Sequence, residues 1–360
     1  MPPFYLRPIA HASENDIDEY LAFVQALGSF SLALFSLSML STVLFILGFA
    51  LLVKGADFLV DGASSVARKF KISSLVIGLT IVAFGTSAPE LIVNILASLQ
   101  GNTEIAIGNV LGSNIANIFL ILGIAALIYP LKTKENTVWK EIPLALLAAV
   151  LLGILANDVW IDGGLDSELT RSDGLVFLAF FIVFLYYTFG ISKVTGSESS
   201  ELELKELSML KSTLYILAGL LGLVLGGKWI VDGAVELAEA FDISQSVIAL
   251  TVVAIGTSLP ELATSAVAAY KKQSDIAIGN VVGSNIFNIF WILGSSALIR
   301  PLPFNSGSNF DIFVAISASL ILFLIMFIGK RHVIERWQGG LMLLIYLVYV
   351  LVLVTGNAPF

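Results

Sequence analysis

The chain has 360 residues, of which 57% are hydrophobic and only 13% are charged, and its net charge is −8. Soluble domains carry about 25% charged residues, so this composition and the mean hydropathy of +0.94 predict a polytopic membrane protein. The absence of cysteine excludes disulfides, iron–sulfur clusters and thiolate metal sites. His11 and His332 lie at the N-terminus and in a basic loop, which argues against a zinc site or a histidine-based triad. No basic patch indicates a nucleic-acid partner, and we expect no tightly bound cofactor.

Residues 1–38 are predicted to form an extension outside the membrane. Residues 21–53 are apolar over enough length to suggest an additional span or a signal peptide. A signal peptide needs a basic segment before its apolar core, whereas residues 14–19 carry four acids. An additional span would bring those acids inside and make the number of spans odd. We therefore favour an external extension that runs into a long first helix.

The apolar runs predict ten transmembrane helices, because about 20 residues span ~30 Å of hydrocarbon. They cover residues 39–66, 75–99, 104–129, 139–157, 174–192, 211–238, 246–270, 275–299, 310–329 and 337–356. Lys and Arg concentrate in cytoplasmic loops, and 14 of the 19 basic residues lie after odd-numbered spans or at their ends. This bias predicts a plasma (inner) membrane protein with both termini on the extracytoplasmic side.

The chain contains one segment twice. Residues 78–131 and 249–302 align without a gap and are identical at 32 of 54 positions. Equivalent positions are five spans apart, so the second copy must enter the membrane in the opposite direction. The loop charges agree, since RKFK precedes the first copy and AEAFD the second. Inverted repeats are typical of secondary transporters, whose substrate site lies at the midplane between the repeats.

The predicted fold is therefore an all-α polytopic membrane protein of ten transmembrane helices, arranged as two inverted five-helix repeats. The first repeat is expected over residues 39–192 and the second over residues 211–360. Residues 193–210 form a predicted cytoplasmic linker that is too short for a folded regulatory domain. The expected partners are inorganic cations and the lipid bilayer, with no obligate protein partner evident.

Each copy places a glutamate after a proline inside an apolar span, in GTSAPE (residues 85–90) and GTSLPE (residues 256–261). Proline has no N–H to donate and clashes with the carbonyl four residues earlier, so both motifs predict helix breaks. A charge near the bilayer centre costs about 2.5–3.5 kcal/mol, and two facing carboxylates would repel. A divalent cation between Glu90 and Glu261 would cancel that repulsion. Oxygen ligands suit calcium, magnesium or sodium, and calcium accepts the most flexible shell.

The second half of each copy supplies neutral polar side chains on one helix. The recurring residues are Ser113, Asn114 and Asn117 in the first copy and Ser284, Asn285 and Asn288 in the second. Ser113 and Asn117 are four residues apart and share one helix face, so they can complete a cation shell without adding charge. Two alternatives stay open. The serines and asparagines could serve helix packing alone beside the GxxxG motifs, and the glutamates could be protonated acids that bond neighbouring helices.

Other charged positions within or near the spans have simpler explanations. Asp61 and Asp232 recur in both halves near span ends, where a solvated or capping role fits better than a ligand role. Lys54 and Asp57 are close enough in sequence to pair, and we assign them no function.

At these motifs the sequence resembles the cation/calcium exchanger superfamily, and within it the prokaryotic sodium/calcium exchangers, over roughly residues 40–357. The resemblance implies ten helices, with broken helices 2, 3, 7 and 8 at the core and helices 1 and 6 sliding across the other eight. The calcium shell that it implies consists of Glu90, Glu261, Thr86 and Thr257. The sodium ligands that it implies are Ser87, Ser258, Ser113 and Ser284, with the carbonyls of Ala83 and Ala254. It places Asn117 and Asn288 at the centre of the site.

One position departs from many relatives, which have an aspartate where this chain has Asn288. The site then holds two carboxylates rather than three, and their charge balances one calcium ion. The potassium-dependent branch of the superfamily resembles the aspartate pattern. Asn288 therefore argues against potassium dependence in this chain.

The leading hypothesis is a secondary antiporter that exchanges calcium for sodium and extrudes calcium. A calcium/proton antiporter on the same fold is the alternative, since both glutamates can carry a proton. The paired serines favour sodium, because protons need no hydroxyl cage. The inverted repeat argues against a cation channel, because a pore made by a single chain would normally need several equivalent filters. An intramembrane protease would need an aspartate dyad or a serine–histidine pair within the spans, so we expect no enzyme.

Overall fold

The computed structural model describes residues 39–101, 103–161, 163–164, 166–194, 207–240 and 254–355. The long helices of the first half are α1 (Met39–Lys69), α2 (Ser74–Thr86), α3 (Ala88–Gln100), α4 (Thr103–Ala116, continued by Asn117–Leu122 and Gly123–Ile128), α5 (Thr137–Leu155) and α7 (Arg171–Val194), with the short α6 (Asp158–Ile161) between the last two. The second half contains α8 (Met209–Ala240), α9 (Ala254–Thr257), α10 (Leu259–Tyr270), α11 (Ser274–Ile299), α12 (Asn309–Ile325) and α13 (Arg336–Thr355).

Within the described residues, eight helices are long and apolar enough to cross a membrane. The bent pair α2 and α3 gives a ninth crossing if it is one span. The chain is therefore an all-helical, multi-pass membrane protein. The predicted span 246–270 begins in residues 246–253, which lie outside the described ranges, as do the extension 1–38 and most of the linker 193–210.

One predicted span is too long at its C-terminal end. The apolar pattern predicts a helix over residues 310–329, but α12 ends at Ile325. The chain then turns back, and Gly329 and His332 adopt positive φ angles of 75° and 59°. The backbone N–H of His332 donates to the carbonyl of Met326 at 2.8 Å. Hydropathy could not locate this end, because the turn begins within a run that is still apolar.

The two longest helices, α1 and α8, pack against each other in antiparallel fashion through glycines. A Cβ atom added to Gly55 would lie 2.8 Å from the carbonyl oxygen of Gly219, and one added to Gly226 would lie 2.8 Å from that of Gly48. Small residues allow this approach of two backbones within a membrane. These contacts recur every seven residues along each helix, so α1 and α8 form one closely packed unit.

The remaining long helices surround a core made by α2, α3, α4, α10 and α11. Helix α11 packs against α2, α3 and α10, and nearly all of its side chains are buried. Around this core, α5 packs against α12, α7 against α11, and α13 against α4. Two short antiparallel strand pairs also join the halves of the chain, β1 (Leu131–Lys132) with β4 (Val333–Ile334) and β2 (Glu168–Leu169) with β3 (Leu302–Pro303).

The helix breaks occur at the proline motifs. Helices α2 and α3 meet at Ser87, which has φ −82° and ψ 7°, and their axes bend by 47°. Pro89 lies in the first turn of α3, where its missing N–H leaves no hydrogen bond unmade. Ser258 separates α9 from α10 in nearly the same conformation, with φ −87° and ψ 3°.

The interruptions expected in helices 3 and 8 take a different form. Helices α4 and α11 continue through these positions as single rods that contain a π-helical turn, over Asn117–Leu122 and Phe287–Leu293. No proline occurs there to break the hydrogen-bond ladder. The wider turn redirects the side chains around Asn117 and Asn288, and such π-bulges are frequent at functional sites.

Candidate cation-binding site

Glu90 and Glu261 each lie in the first turn of a helix that starts at a break, α3 and α10 respectively. The N-terminus of a helix carries partial positive charge and unpaired N–H groups, which stabilise a carboxylate. Both glutamates are 1% exposed. Thus the break that proline imposes also supplies the electrostatic environment that a buried carboxylate needs.

The hydrogen bonds at these glutamates cross between the two halves of the chain. Ser87 donates to Oε1 of Glu261 at 2.8 Å, and Ser284 approaches the same oxygen at 3.3 Å. Ser258 donates to Oε1 of Glu90 at 3.4 Å. Each break serine therefore contacts the glutamate that follows the other break, so both motifs contribute to one site.

The four predicted serines form two pairs beside the glutamates. Ser87 and Ser284 have their hydroxyl oxygens 3.0 Å apart, and Ser258 and Ser113 have theirs 3.2 Å apart. All four side chains are buried. Each pair joins a break residue of one half to the long polar helix of the other half, α11 or α4.

Among the residues that the structure describes, these four buried oxygens of the site have no hydrogen-bond partner: Oε2 of Glu90, Oε2 of Glu261, Oδ1 of Asn117 and Oδ1 of Asn288. All four residues are 1% exposed. An unpaired buried acceptor is costly, and an unpaired buried carboxylate is more so. The four oxygens come as two equivalent pairs, and their chemistry is that of ligands for a hard cation.

A network of asparagines fixes which amide atoms remain unpaired. Nδ2 of Asn285 donates to the backbone carbonyl of Asn114 at 3.3 Å, so its Oδ1 is free to accept. Asn117 donates its Nδ2 to that Oδ1 at 2.9 Å and leaves its own Oδ1 available. The equivalent bond from Asn288 to Oδ1 of Asn114 is also 2.9 Å. The network therefore turns both central amides so that oxygen, not nitrogen, is left for a ligand.

The threonines of the breaks lie at the edge of this network. The hydroxyl of Thr86 is 3.0 Å from Oδ1 of Asn280 and 3.3 Å from the carbonyl of Ala83. Thr257 donates to Oδ1 of Asn109 at 3.4 Å. The Ala83 carbonyl also accepts the N–H of Ser87 at 3.0 Å. Ala254, the equivalent of Ala83, begins α9, and its side chain lies outside the described residues.

The sequence assigns no ligand role to four other asparagines at the site, although Asn114 and Asn285 are among its recurring polar residues. Asn114 and Asn285 orient the central amides, while Asn109 and Asn280 contact the break threonines. All four belong to the repeated GN-x-x-GSN motif, and that repetition was the available signal. Their roles depend on which side chain each one meets, and spacing along one helix does not encode this.

The other recurring charges lie away from the site. Asp61 pairs with Lys271 at 2.6 Å, and Asp232 pairs with Lys228 at 2.7 Å. Lys54 and Asp57, whose pairing the sequence suggested, are 3.7 Å apart. Within the described ranges no group of three or more His, Asp or Glu side chains could hold a metal ion. A cation at the site would therefore rely on amide, hydroxyl and carbonyl oxygens in addition to the two glutamates.

The sequence matches a known family of transporters. The sequence model of the sodium/calcium exchanger protein family matches residues 40–190 and 211–355. The chain belongs to this family, and it is an integral multi-pass membrane protein.

Similar proteins align over most of their length. The sodium/calcium exchanger MaX1 of Methanosarcina acetivorans is 36% identical over 81% of this chain and 92% of its own. The putative antiporter CaxA of Alkalimonas amylolytica is 38% identical over 80% of this chain and 90% of its own. A solved structure of the sodium-calcium exchanger NCX_Mj, soaked with Na⁺ and Sr²⁺, has a TM-score of 0.75 and 37% identity. It covers 87% of this chain and 99% of its own.

Proposed function

We propose that this protein is a secondary antiporter that exchanges calcium for sodium through the site between Glu90 and Glu261. The observation that carries the proposal is the set of four unpaired buried oxygens, two from these carboxylates and two from Asn117 and Asn288. Two carboxylates neutralise one calcium ion. Calcium takes 6–8 oxygen ligands in flexible geometry, so the oxygens of Thr86 and Thr257 complete its shell.

Sodium binds on either side of the calcium position in this proposal. The serine pairs Ser87/Ser284 and Ser258/Ser113 supply hydroxyl oxygens, and the carbonyls of Ala83 and Ala254 supply the rest. Each pair is hydrogen-bonded to a glutamate oxygen, so a sodium ion there would share that carboxylate. Sodium and calcium would then compete for the same two charges, which is the physical basis of exchange.

The proposed topology consists of ten transmembrane helices in two inverted repeats of five. The first repeat is formed by residues 39–192 and the second by residues 211–360, with residues 193–210 as a cytoplasmic linker and residues 1–38 as an external extension. Both termini lie on the extracytoplasmic face of an inner (plasma) membrane, as the distribution of Lys and Arg indicates. The protein acts on inorganic cations without an obligate protein partner, and it extrudes calcium.

Alternating access is proposed to result from motion of α1 and α8 as one body. Their glycine contacts leave no room for independent sliding. The core helices carry the ion ligands and stay in place, while the α1–α8 unit moves across them and covers one path or the other. The two breaks favour this mechanism, since each glutamate lies where one half-helix ends and the next begins.

A calcium/proton antiporter remains the second candidate, and one observation favours it. Glu90 and Glu261 are buried and each has an unpaired oxygen that a proton could occupy. The serine pairs favour sodium instead, because proton exchange would not require two hydroxyls beside each carboxylate. The two functions differ in the gradient that drives calcium uptake.

The decisive experiment uses the full chain reconstituted in liposomes. Calcium uptake should be driven by an outward sodium gradient at fixed pH, and Glu90→Gln or Glu261→Gln should abolish it. Glu141→Gln is a matched control, because Glu141 is also fully buried in a membrane helix but bonds to Tyr187 away from the site. Glutamine can still accept that bond, so uptake should persist. Uptake driven only by a pH gradient, with none from sodium, would replace this proposal with proton exchange.

A further inference from the structure

The α1–α8 unit packs unequally against the two broken helices. Helix α1 packs along α10, but no extensive contact joins the equivalent pair, α8 and α3, within the residues that the structure describes. Exposure follows this difference. Ala263 on α10 is buried, at 8% exposed, whereas its repeat equivalent Ile92 on α3 is 56% exposed. At this pair of positions, α10 is thus covered and α3 is exposed.

An ion-pair cluster joins the helices on the covered side. Nζ of Lys271, which follows the last residue of α10, lies 2.6 Å from Oδ1 of Asp57 and 2.6 Å from Oδ1 of Asp61, both on α1. It also donates to the backbone carbonyl of Asp57 at 3.2 Å. The Lys271 side chain is 17% exposed, so water screens these bonds less than it would at an open surface. Lys54 approaches the second oxygen of Asp57 at 3.7 Å.

The repeat-equivalent positions cannot form this cluster. A shift of 171 residues carries Asp57 to Lys228, Asp61 to Asp232 and Lys271 to Gln100. Lys228 pairs with Asp232 on its own helix at 2.7 Å, and both side chains are more than half exposed. Gln100 carries no charge. The bridging cluster therefore exists on one side of the molecule only.

We propose that Lys271, Asp57 and Asp61 form a latch that holds α1 against α10, keeps the cytoplasmic access path closed, and opens once in each transport cycle. The proposal rests on the exchange function and membrane orientation given above. Because the other half lacks an equivalent latch, the two access states differ in free energy. The state with the cytoplasmic side closed is favoured, and charge-assisted bonds of this kind shift such a balance by about tenfold.

The test measures how accessible each face is, using the full chain in membrane vesicles. The chain has no cysteine, so the single substitutions Ala263→Cys and Ile92→Cys report on one helix each. With the latch intact, the thiol of Ala263→Cys should react slowly with an impermeant maleimide applied from the cytoplasmic side. Lys271→Gln should raise this rate about tenfold and lower the rate at position 92 from the outside.

Lys228→Gln is the matched control, since it also removes a lysine ion pair, but that pair lies within α8 alone and joins no second helix. Unchanged labelling at position 263 in Lys271→Gln would overturn the latch, and so would an equal rise in Lys228→Gln. The charge-exchanged double variant Asp61→Lys, Lys271→Asp should restore slow labelling if folding of Lys271→Gln is impaired. Calcium uptake in the same vesicles separates the two proposals: a latch effect without sodium-driven uptake would refute the exchange function and leave the latch standing.

Discussion

Ser87, from the first half of the chain, donates a hydrogen bond of 2.8 Å to Oε1 of Glu261, from the second half. The same hydroxyl is 3.0 Å from that of Ser284. One side chain thus lies between the carboxylate proposed for calcium and the hydroxyl proposed for sodium. Substitutions at the site should therefore change the binding of calcium and the binding of sodium to different degrees.

Removing a break serine should weaken sodium coupling more than calcium binding. Ser87→Ala or Ser258→Ala deletes a proposed sodium ligand and one hydrogen bond to a glutamate. A loss of about 1–2 kcal/mol corresponds to roughly a 5–30-fold rise in the sodium concentration needed for half-maximal calcium release. Ser319→Ala is a suitable control, since this buried serine donates to the carbonyl of Ala315 in its own helix. If Ser319→Ala weakened sodium coupling as much as Ser87→Ala or Ser258→Ala, that result would argue against a sodium role for the break serines.

Adding a third carboxylate should tighten calcium binding and slow its release. Asn288→Asp replaces an unpaired amide oxygen with a charged one and removes the Nδ2 bond to Oδ1 of Asn114. We expect the added charge to outweigh the lost bond and to give about tenfold tighter binding, or ~1.4 kcal/mol. Initial uptake rates over a range of calcium concentrations would show a lower half-saturating concentration and a lower maximal rate. Asn305→Asp makes the same change in an exposed loop and should do neither. Weaker calcium binding in Asn288→Asp would contradict a central position for this residue.

Enlarging a glycine between α1 and α8 should destabilise the whole protein. A methyl group at Gly55 would lie 2.8 Å from backbone atoms of α8, and overpacking of this kind costs about 1–3 kcal/mol. Gly55→Ala should therefore lower the thermal unfolding temperature in detergent and reduce transport. Gly340→Ala is the control, because nothing lies within 4 Å of its added Cβ and alanine favours a helix. Similar unfolding temperatures for the two variants would show that the close contact is not needed.

The bend between α2 and α3 lies where the first proline motif predicts it, because the ring of a proline clashes with the carbonyl four residues earlier. The two helices meet at Ser87 with a bend of 47°, and Pro89 lies in the first turn that follows. Glu90 and Glu261 could likewise be identified as functional candidates from the sequence, because a carboxylate inside an apolar span carries a large free-energy cost. The structure brings both together with the predicted serines, threonines and asparagines.

Other features depend on tertiary contacts that no local pattern encodes. The π-helical turns at Asn117 and Asn288 take the place of the expected breaks. The lack of proline there argues against a break, but it does not predict a π-helical turn. The turn after Ile325 occurs within apolar sequence. Lys271 was counted only as a loop charge that sets orientation, because its two partners lie on α1, more than 200 positions earlier.

The crossed bonds at the glutamates have a consequence for how such a molecule could be divided. Glu261 accepts its shorter hydroxyl bond from Ser87 of the other half, with Ser284 of its own half at 3.3 Å, and Glu90 accepts a bond from Ser258 of the other half. Neither half of the chain holds a complete set of donors and acceptors for its own acid. A gene for one half alone would encode an unfinished site, which the other half would have to complete. Because the two halves are covalently joined in one chain, they are always made in equal amounts, and neither half has to find the other in order to form the site.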